Sequence, residues 1–482
     1  MKKWLLSLLI WGGIAALGAV GFGIIALSRG ESVNSFWLLT AAFCTYAVAY
    51  RFYSRFIARK LMGLDDNRAT PAEVNNDGKD FVPTNKWILF GHHFAAIAGA
   101  GPLVGPTLAA QMGYLPGTIW IIVGVVIGGA VQDFVILFGS MRRNGKSLGQ
   151  IAKEEIGPVG GALALVGIIA IMIILIAVLA MVVVNALAES PWATFTIFMT
   201  LPIAILMGLY MRYIRPGRVM EGSIIGLGLL FLSLWLGQAV AASPTWGPAF
   251  TFSKVQLAWM IIIYGFIASV LPVWLLLAPR DYLSSFLKVG TIAVLAVGII
   301  LTLPPLHMPA LTKFIDGTGP VFAGNLFPFL FITIACGAVS GFHALVSSGT
   351  TPKMIAKESH APLIGYGGML MESGVAIMAM IAACVLTPGV YFAINSPAAV
   401  IGADAAAAAT AITSWGYTVT PDQLTTLAND IQEKTILSRT GGAPSLAIGM
   451  ATIFSGILGG KALMAFWYHF AILFEAVFIL TT

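Results

Sequence analysis

Apolar stretches long enough to cross a lipid bilayer follow one another along almost the whole chain, separated by short polar segments. A membrane-spanning helix needs about 20 consecutive, mostly apolar residues. By that criterion the sequence predicts 13 spans, at 4–28, 34–57, 87–112, 117–140, 158–187, 193–211, 221–243, 256–278, 286–304, 326–348, 362–389, 443–459 and 462–482. We therefore predict an all-α polytopic membrane protein.

The composition agrees with this pattern. Of the 482 residues, 58% are hydrophobic and only 10% are charged, whereas a soluble domain carries about 25% charged residues. So few charges cannot cover a water-soluble body of this size, which excludes a soluble enzyme. The three cysteines, Cys44, Cys336 and Cys384, lie in apolar runs. They are predicted to be packing residues, because no disulfide framework or paired-cysteine metal motif surrounds them.

The distribution of basic residues predicts the orientation. If the N-terminus is cytoplasmic and the spans alternate, 21 of the 26 Lys and Arg residues lie on the cytoplasmic side and five on the opposite side. Cytoplasmic loops of membrane proteins carry such an excess. Arg280 and Lys288 are counted on the cytoplasmic side. Topology thus accounts for the net charge of +6, and no nucleic-acid partner is expected.

The third predicted span contains residues that break helices. Three glycines and two prolines lie between Gly99 and Pro106, at bilayer depth. Proline removes a backbone donor and glycine permits unusual backbone angles, so the helix is predicted to unwind and offer carbonyls and amides to a ligand. The alternative is that these residues only permit close helix packing.

The eighth span is also interrupted, near Ser269 and Pro272. Because the two interrupted spans are five apart, they have opposite orientations, as in transporters built from inverted repeats with broken helices. We predict a 5+5 inverted repeat of the LeuT-like kind. The predicted units are two N-terminal helices (1–57), a cytoplasmic loop (58–86), the first repeat (87–243), the second repeat (256–459, with an external loop at 390–442) and a final helix (462–482).

Ionisable residues inside the predicted spans are candidates for function, because charge within a membrane is costly. They are His92, His93, Asp133, His343, Glu372, His469 and Glu475. Asp133, His343 and Glu372 are predicted to couple transport to protons, with structural polar contacts as the alternative. His469 and Glu475 are predicted to be structural.

The tenth span has a polar face. Ser340, His343 and Ser347 follow one another at helical spacing. Ser347 and Ser348 are candidate ligands for a coupling cation, by analogy with the corresponding helix of 5+5 transporters. Hydroxyls bonded back to their own helix are an equal alternative.

Motifs for enzymatic chemistry are missing from the sequence. It has no HExxH, Walker or GxSxG motif. No two histidines share an i, i+4 helical face, which argues against an intramembrane metalloenzyme. We predict neither enzymatic activity, nor a cofactor, nor a metal.

Several motifs resemble those of one known family, the carbon starvation protein A family. They are GHHFAAIAGAGPLVGP (91–106), AQMGYLPG (110–117), GAVQDF (129–134), SGFH (340–343), SSGTTPKM (347–354), GYG (365–367), MES (371–373), YFAIN (391–395) and RTGGAP (439–444). The similarity runs from about residue 35 to the end. Family members commonly continue with further helices beyond the stretch matching 470–482, so this chain is expected to be a short variant, a split-gene product or a truncation.

The resemblance implies a bacterial inner-membrane secondary transporter of the amino acid–polyamine–organocation superfamily. Such proteins are associated with uptake of peptides or pyruvate during nutrient limitation, by proton symport. The expected partners are that substrate, a coupling proton or sodium ion, and membrane lipids. The alternative is a nutrient sensor without transport, which would normally need a cytoplasmic output module larger than loop 58–86.

The predicted substrate site follows from the broken helices. The amino ends of broken helices favour carboxylates. An anionic substrate would therefore be bound by backbone groups of the residues at the break, namely Gly99, Ala100, Gly101 and Gly105. His92, His93 and Ser269 complete the predicted substrate-binding set.

Overall fold

The computed structural model describes residues 33–78, 80–215, 218–271 and 275–481, together with residues 12, 13 and 17. Within these ranges the regular structure is helical, apart from isolated bridges that pair Asn34 with Pro305 and Thr84 with Ile355. The first predicted span, 4–28, lies almost wholly outside the described residues.

Seven helices of the described chain are long and apolar enough to cross a membrane. They are Tyr114–Arg142, Pro158–Leu187, Pro191–Ile214, Met220–Ala242, Leu283–Thr302, Glu358–Val385 and Gly460–Leu480. An eighth results if Lys86–Ile97 and Gly101–Met112, which are bent by 49° at a short break, form one span. The chain is thus a polytopic helical membrane protein. The 13 spans, the inverted repeat and the domain boundaries that depend on it stay predictions.

Shorter helices complete the architecture. They are Ser35–Val48 with π-helical turns at Ala49–Ser54 and Ile57–Met62, then Pro71–Val74, Leu148–Ile156, Trp246–Ala249, Lys254–Val270, Leu326–Thr333, Ala335–Ala338, Gly341–Ser347, Pro388–Asn395, Ala398–Ile401, Ala405–Ser414, Pro421–Asp430 and Ala443–Ile457. The Glu358–Val385 helix forms the centre of the bundle and is almost completely buried. It packs against the bent pair and the Ala443–Ile457 helix.

The tenth predicted span is not one helix, which corrects the sequence prediction. Its residues form three short helices, and the chain is extended at Val339 and Ser340. The Gln132 side chain, on the neighbouring Tyr114–Arg142 helix, donates a hydrogen bond to the freed Ser340 carbonyl. Such a partner makes broken backbone tolerable at membrane depth. Ser340 therefore precedes the last short helix and does not share its face with His343 and Ser347.

The segment 390–442, predicted to be an external loop, is largely helical. Several short helices lie within it, and N-terminal caps stabilise two of them. Asp404 accepts a hydrogen bond from the Ala407 amide, and Thr420 accepts one from the Gln423 amide. Phe392 packs edge-on against Phe314, in the short turn Lys313–Asp316, with ring centroids 5.1 Å apart, so an aromatic contact joins these two segments.

The predicted loop between the eighth and ninth spans is also helical. One helix runs from Leu277 to Thr302, so Arg280 and Lys288 lie inside it. Their exposed fractions are only 2% and 1%, so both side chains are buried in the bundle, and the side of the membrane on which they lie stays a prediction. The preceding helix, Lys254–Val270, ends just before Pro272, and the predicted break at Pro272 lies outside the described residues.

A buried carboxylate holds the polar loop that follows residue 62 against the bundle. Glu358 accepts a hydrogen bond from the Asp65 amide at 2.9 Å. The same side chain contacts Arg142 at 3.1 Å and Arg68 at 3.4 Å. One side chain thus joins the loop, the Tyr114–Arg142 helix and the start of the central helix.

Replacing Glu358 with glutamine is expected to lower the free energy of unfolding by about 1–2 kcal/mol, because hydrogen bonds to the charged carboxylate are lost. The melting temperature of purified protein in detergent measures this effect. The control is Glu154→Gln, since Glu154 pairs with Lys146 on the exposed surface and such pairs contribute little. Equal melting temperatures for the two variants would contradict the proposed contact.

Candidate functional site

The bent pair of helices, called the broken span below (Lys86–Ile97 and Gly101–Met112), is interrupted where the sequence predicts a break. Residues Ala98 to Ala100 lie between the two helices. Pro102 has no N–H, so the Ala98 carbonyl lacks its helical donor. The Gly99 amide donates to the Ile97 carbonyl at 2.9 Å and so is turned away from the Ala95 carbonyl that it would reach in a continuous helix.

Two glycines of the second half permit a close approach of the chain segment 333–336. A Cβ atom at Gly101 would lie 2.2 Å from the Cys336 Cβ atom, and one at Gly105 would lie 2.4 Å from the Thr333 carbonyl oxygen. Side chains do not tolerate such distances. At Gly101 and Gly105 the contacts therefore agree with the alternative that these residues permit close packing of the chain.

Three predicted ionisable residues meet beside the broken span. The His343 Nδ1 atom lies 3.0 Å from Asp133 Oδ2, and Nε2 lies 2.9 Å from Glu372 Oε2. The first contact is a hydrogen bond, whereas the second has an ion-pair distance without hydrogen-bond alignment. All three side chains are completely buried. The imidazole therefore lies between two carboxylates that come from two different long helices.

Cys336 belongs to the same group, which the sequence analysis did not predict. Its Sγ atom lies 3.7 Å from Glu372 Oε1 and 3.9 Å from His343 Nε2. We call Asp133, His343, Glu372 and Cys336 the ionisable cluster. The Cys336 side chain packs directly on Gly101, so the cluster lies against the break. The sequence signal that could have indicated Cys336 is the short run of small residues around it. Such a run is equally typical of close helix packing.

A sulfur, a nitrogen and an oxygen of the cluster lie within 4.8 Å of one another, a donor set that zinc accepts. The ligands of a tetrahedral zinc ion with bonds of about 2.0–2.2 Å lie about 3.3 Å apart. The imidazole and the Glu372 carboxylate approach to 2.9 Å. This separation is shorter than the spacing expected of two zinc ligands.

The two histidines of the first half-helix face different surroundings. The His93 Nδ1 atom lies 2.9 Å from Thr351 Oγ1, and the side chain is buried. His92 lines a cavity of about 430 Å³ together with Ser147, Ser348 and Thr351. Thr351 thus connects the buried histidine with this cavity.

The predicted serines lie apart from the ionisable cluster. The Ser348 hydroxyl donates to the Ala344 carbonyl at 2.7 Å, and the Ser269 hydroxyl donates to the Phe266 carbonyl at 2.8 Å. Both bonds run back to the same chain segment, as the alternative interpretation expects. The Ser347 hydroxyl is buried and has no hydrogen-bond partner among the described residues.

The last predicted pair lies in the final helix. The His469 ring packs against Trp192 with ring centroids 4.0 Å apart. Glu475 is buried, and neither of its carboxylate oxygens has a partner among the residues described. Neither side chain contacts the ionisable cluster in the described structure.

A helical membrane bundle with a broken span beside buried ionisable groups is typical of a membrane transport protein. The chain belongs to the carbon starvation protein CstA family, whose sequence profile matches residues 34–482. This family and the relatives described next are transporters, so the protein is a transporter and not an enzyme.

Several characterised proteins are similar over most of the chain. The peptide transporter CstA of Campylobacter jejuni is 64% identical over 474 residues, which cover 98% of this chain and 67% of the relative. The peptide transporter CstA of Escherichia coli is 62% identical, with 98% and 68% covered. The pyruvate/proton symporter BtsT of Escherichia coli is 56% identical, with 98% and 69% covered. No solved structure matches the chain.

Proposed function

We propose that the protein takes up a small carboxylate-bearing substrate, pyruvate or a short peptide, together with a proton across the bacterial inner membrane. The names of the relatives support both substrates, and one of them is a proton symporter. The observation that carries the proposal is the position of His343 between Asp133 and Glu372, buried beside the broken span.

The cluster offers a physical link between proton binding and helix position. An imidazolium has an N–H on both ring nitrogens, whereas neutral imidazole has one. Only protonated His343 can therefore donate to Asp133 and Glu372 together. Asp133 lies on the Tyr114–Arg142 helix and Glu372 on the central helix. Loss of the proton removes one of the two attractions, so proton binding changes the free energy that holds these helices together.

The substrate carboxylate is assigned to the break. The amino end of the second half-helix, Gly101–Ala109, carries partial positive charge and free N–H groups. Ala100 and Gly101 stay the proposed backbone contacts. Gly99 stays a prediction without a supporting contact, because its amide already donates to the Ile97 carbonyl. Gly105 permits the close approach of the Thr333 carbonyl. His92, in the cavity, and His93, beside Thr351, are proposed to lie along the substrate path.

Two parts of the predicted site are less directly supported. Ser347, whose buried hydroxyl has no hydrogen-bond partner in the described part of the chain, stays the better candidate of the two serines for a coupling cation. Ser269 stays a prediction without a supporting contact, because its hydroxyl is bonded within its own helix.

Uptake by reconstituted protein tests the proposed function. We expect proteoliposomes to accumulate labelled pyruvate or a labelled dipeptide under an inward proton gradient, and not under a sodium gradient at equal pH. The driving force for accumulation then comes from the proton. Protein-free liposomes are the control. Substrate binding without accumulation under either gradient would contradict transport and would favour the sensor.

A further inference from the structure

A buried lysine contacts the break from the neighbouring helix. Lys288, in the Leu277–Thr302 helix, is 1% exposed. Its Nζ atom donates to the Ala95 carbonyl at 3.0 Å and to the Ala98 carbonyl at 3.3 Å. The same ammonium lies 4.3 Å from the centre of the Phe478 ring, a distance at which the ring face attracts a cation.

The two carbonyls are those that the break deprives of helical donors. In a continuous helix, Ala98 would receive a bond from residue 102, but Pro102 has no N–H. Ala95 would receive one from Gly99, whose amide donates to Ile97. Buried carbonyls without a donor are costly. The sequence around the break therefore creates two acceptors, and Lys288 supplies donors to both.

Carbonyls freed by unwound helices bind monovalent cations in other transporters. In this chain the cation at Ala95 and Ala98 is a covalently attached ammonium. A charged side chain buried at this depth has a high free-energy cost, which contacts with carbonyl dipoles and an aromatic face offset. A second cation at the same carbonyls would meet electrostatic repulsion.

We propose that the Lys288 ammonium is the resident cation of the broken span and occupies the position that an inorganic monovalent cation would otherwise fill. The break then needs no sodium ion to keep its shape. This inference deepens the proposed function, on which its transport consequence rests, because it concerns the ion requirement of the same break. The contact itself is structural and can be tested without transport.

The test measures the melting temperature of purified protein in sodium chloride and in choline chloride of equal ionic strength. The wild-type protein is expected to melt at the same temperature in both salts. Lys288→Ala is expected to melt several degrees lower in choline and to recover part of that loss in sodium, because the freed carbonyls can then bind the smaller ion. Lys288→Arg keeps the donors and the positive charge, so its melting temperature should not respond to sodium. Lys254→Ala, at an exposed helix end, is the matched control.

Uptake gives a second readout. Lys288→Ala is expected to lose proton-driven uptake at least tenfold in choline and to regain part of it in sodium. A sodium-dependent melting temperature of the wild-type protein would overturn the inference. So would a Lys288→Ala protein that melts as wild type, or one that melts lower in both salts without any response to sodium. If wild-type protein transports neither substrate, the melting experiment still decides the role of Lys288, so the two proposals fail separately.

Discussion

Proton-driven uptake is expected to fall by about 100-fold or more when His343 is replaced with glutamine, a range typical of removing a proton-transferring group. Glutamine has a similar size and keeps one donor and one acceptor, but it cannot carry a proton between Asp133 and Glu372. The measurement is the initial rate of labelled pyruvate uptake into proteoliposomes under an inward proton gradient. His469→Gln is the matched control, because His469 is equally buried but lies apart from the ionisable cluster.

A substrate-exchange assay distinguishes a variant that has lost proton coupling from a variant that has lost its fold. Exchange of internal for external substrate needs no net proton movement, so we expect the His343→Gln protein to retain it within about tenfold of wild type, a loss far smaller than that of a missing proton-transferring group. The same preparation serves both assays, which excludes differences in reconstitution. Gradient-driven uptake at the wild-type rate in the His343 variant would show that the cluster is structural.

Replacing Gly105 with alanine is the second large effect that we expect. The added Cβ atom would lie 2.4 Å from the Thr333 carbonyl oxygen, and backbone cannot move aside as a flexible side chain can. Overpacking of this kind typically costs about 1–3 kcal/mol. We expect uptake at least tenfold lower, because the second half-helix is displaced from the chain segment that carries Cys336.

Gly91→Ala is the matched control for this prediction. It lies in the first half of the same broken span, and a Cβ atom there would meet no atom within 4 Å. Uptake and melting temperature of this variant should equal those of wild type, within the error of the assay. If both alanine variants transport equally well, the close approach at Gly105 has no role in transport.

Part of this site follows from the sequence alone. The break was predictable because Pro102 and the nearby glycines act locally, through a missing N–H and permissive backbone angles. Asp133, His343 and Glu372 stood out one by one, since a charge in an apolar stretch needs a partner or a proton.

The meeting of these groups was not predictable from one sequence. Asp133 and His343 are 210 positions apart, and a hydropathy pattern does not report which helices are neighbours. Cys336 was missed because a cysteine in an apolar run is equally suited to packing. The interruption at Ser340 was missed because a side-chain amide from Gln132 replaces the lost backbone bond, a tertiary contact.

Lys288 is a second residue whose partners could not be predicted from the sequence. Its neighbourhood in the sequence, with Pro279 and Arg280 shortly before it, resembles a loop between two spans. The distribution of basic residues accordingly counts Lys288 among the cytoplasmic charges. In the structure the helix continues through Pro279, and the lysine donates to two carbonyls that lie about 190 positions earlier in the sequence. The local sequence pattern shows that a charged residue is present, but it does not show which residue binds that charge.

Proton entry that accompanies substrate is the most direct test of the central claim. Proteoliposomes with a pH-sensitive dye inside receive substrate outside, with the membrane potential clamped and no pH gradient imposed. The account predicts that the lumen acidifies with wild-type protein beyond the protein-free background, and that His343→Gln shows no such excess. Substrate entry through the wild-type protein without excess acidification would contradict it.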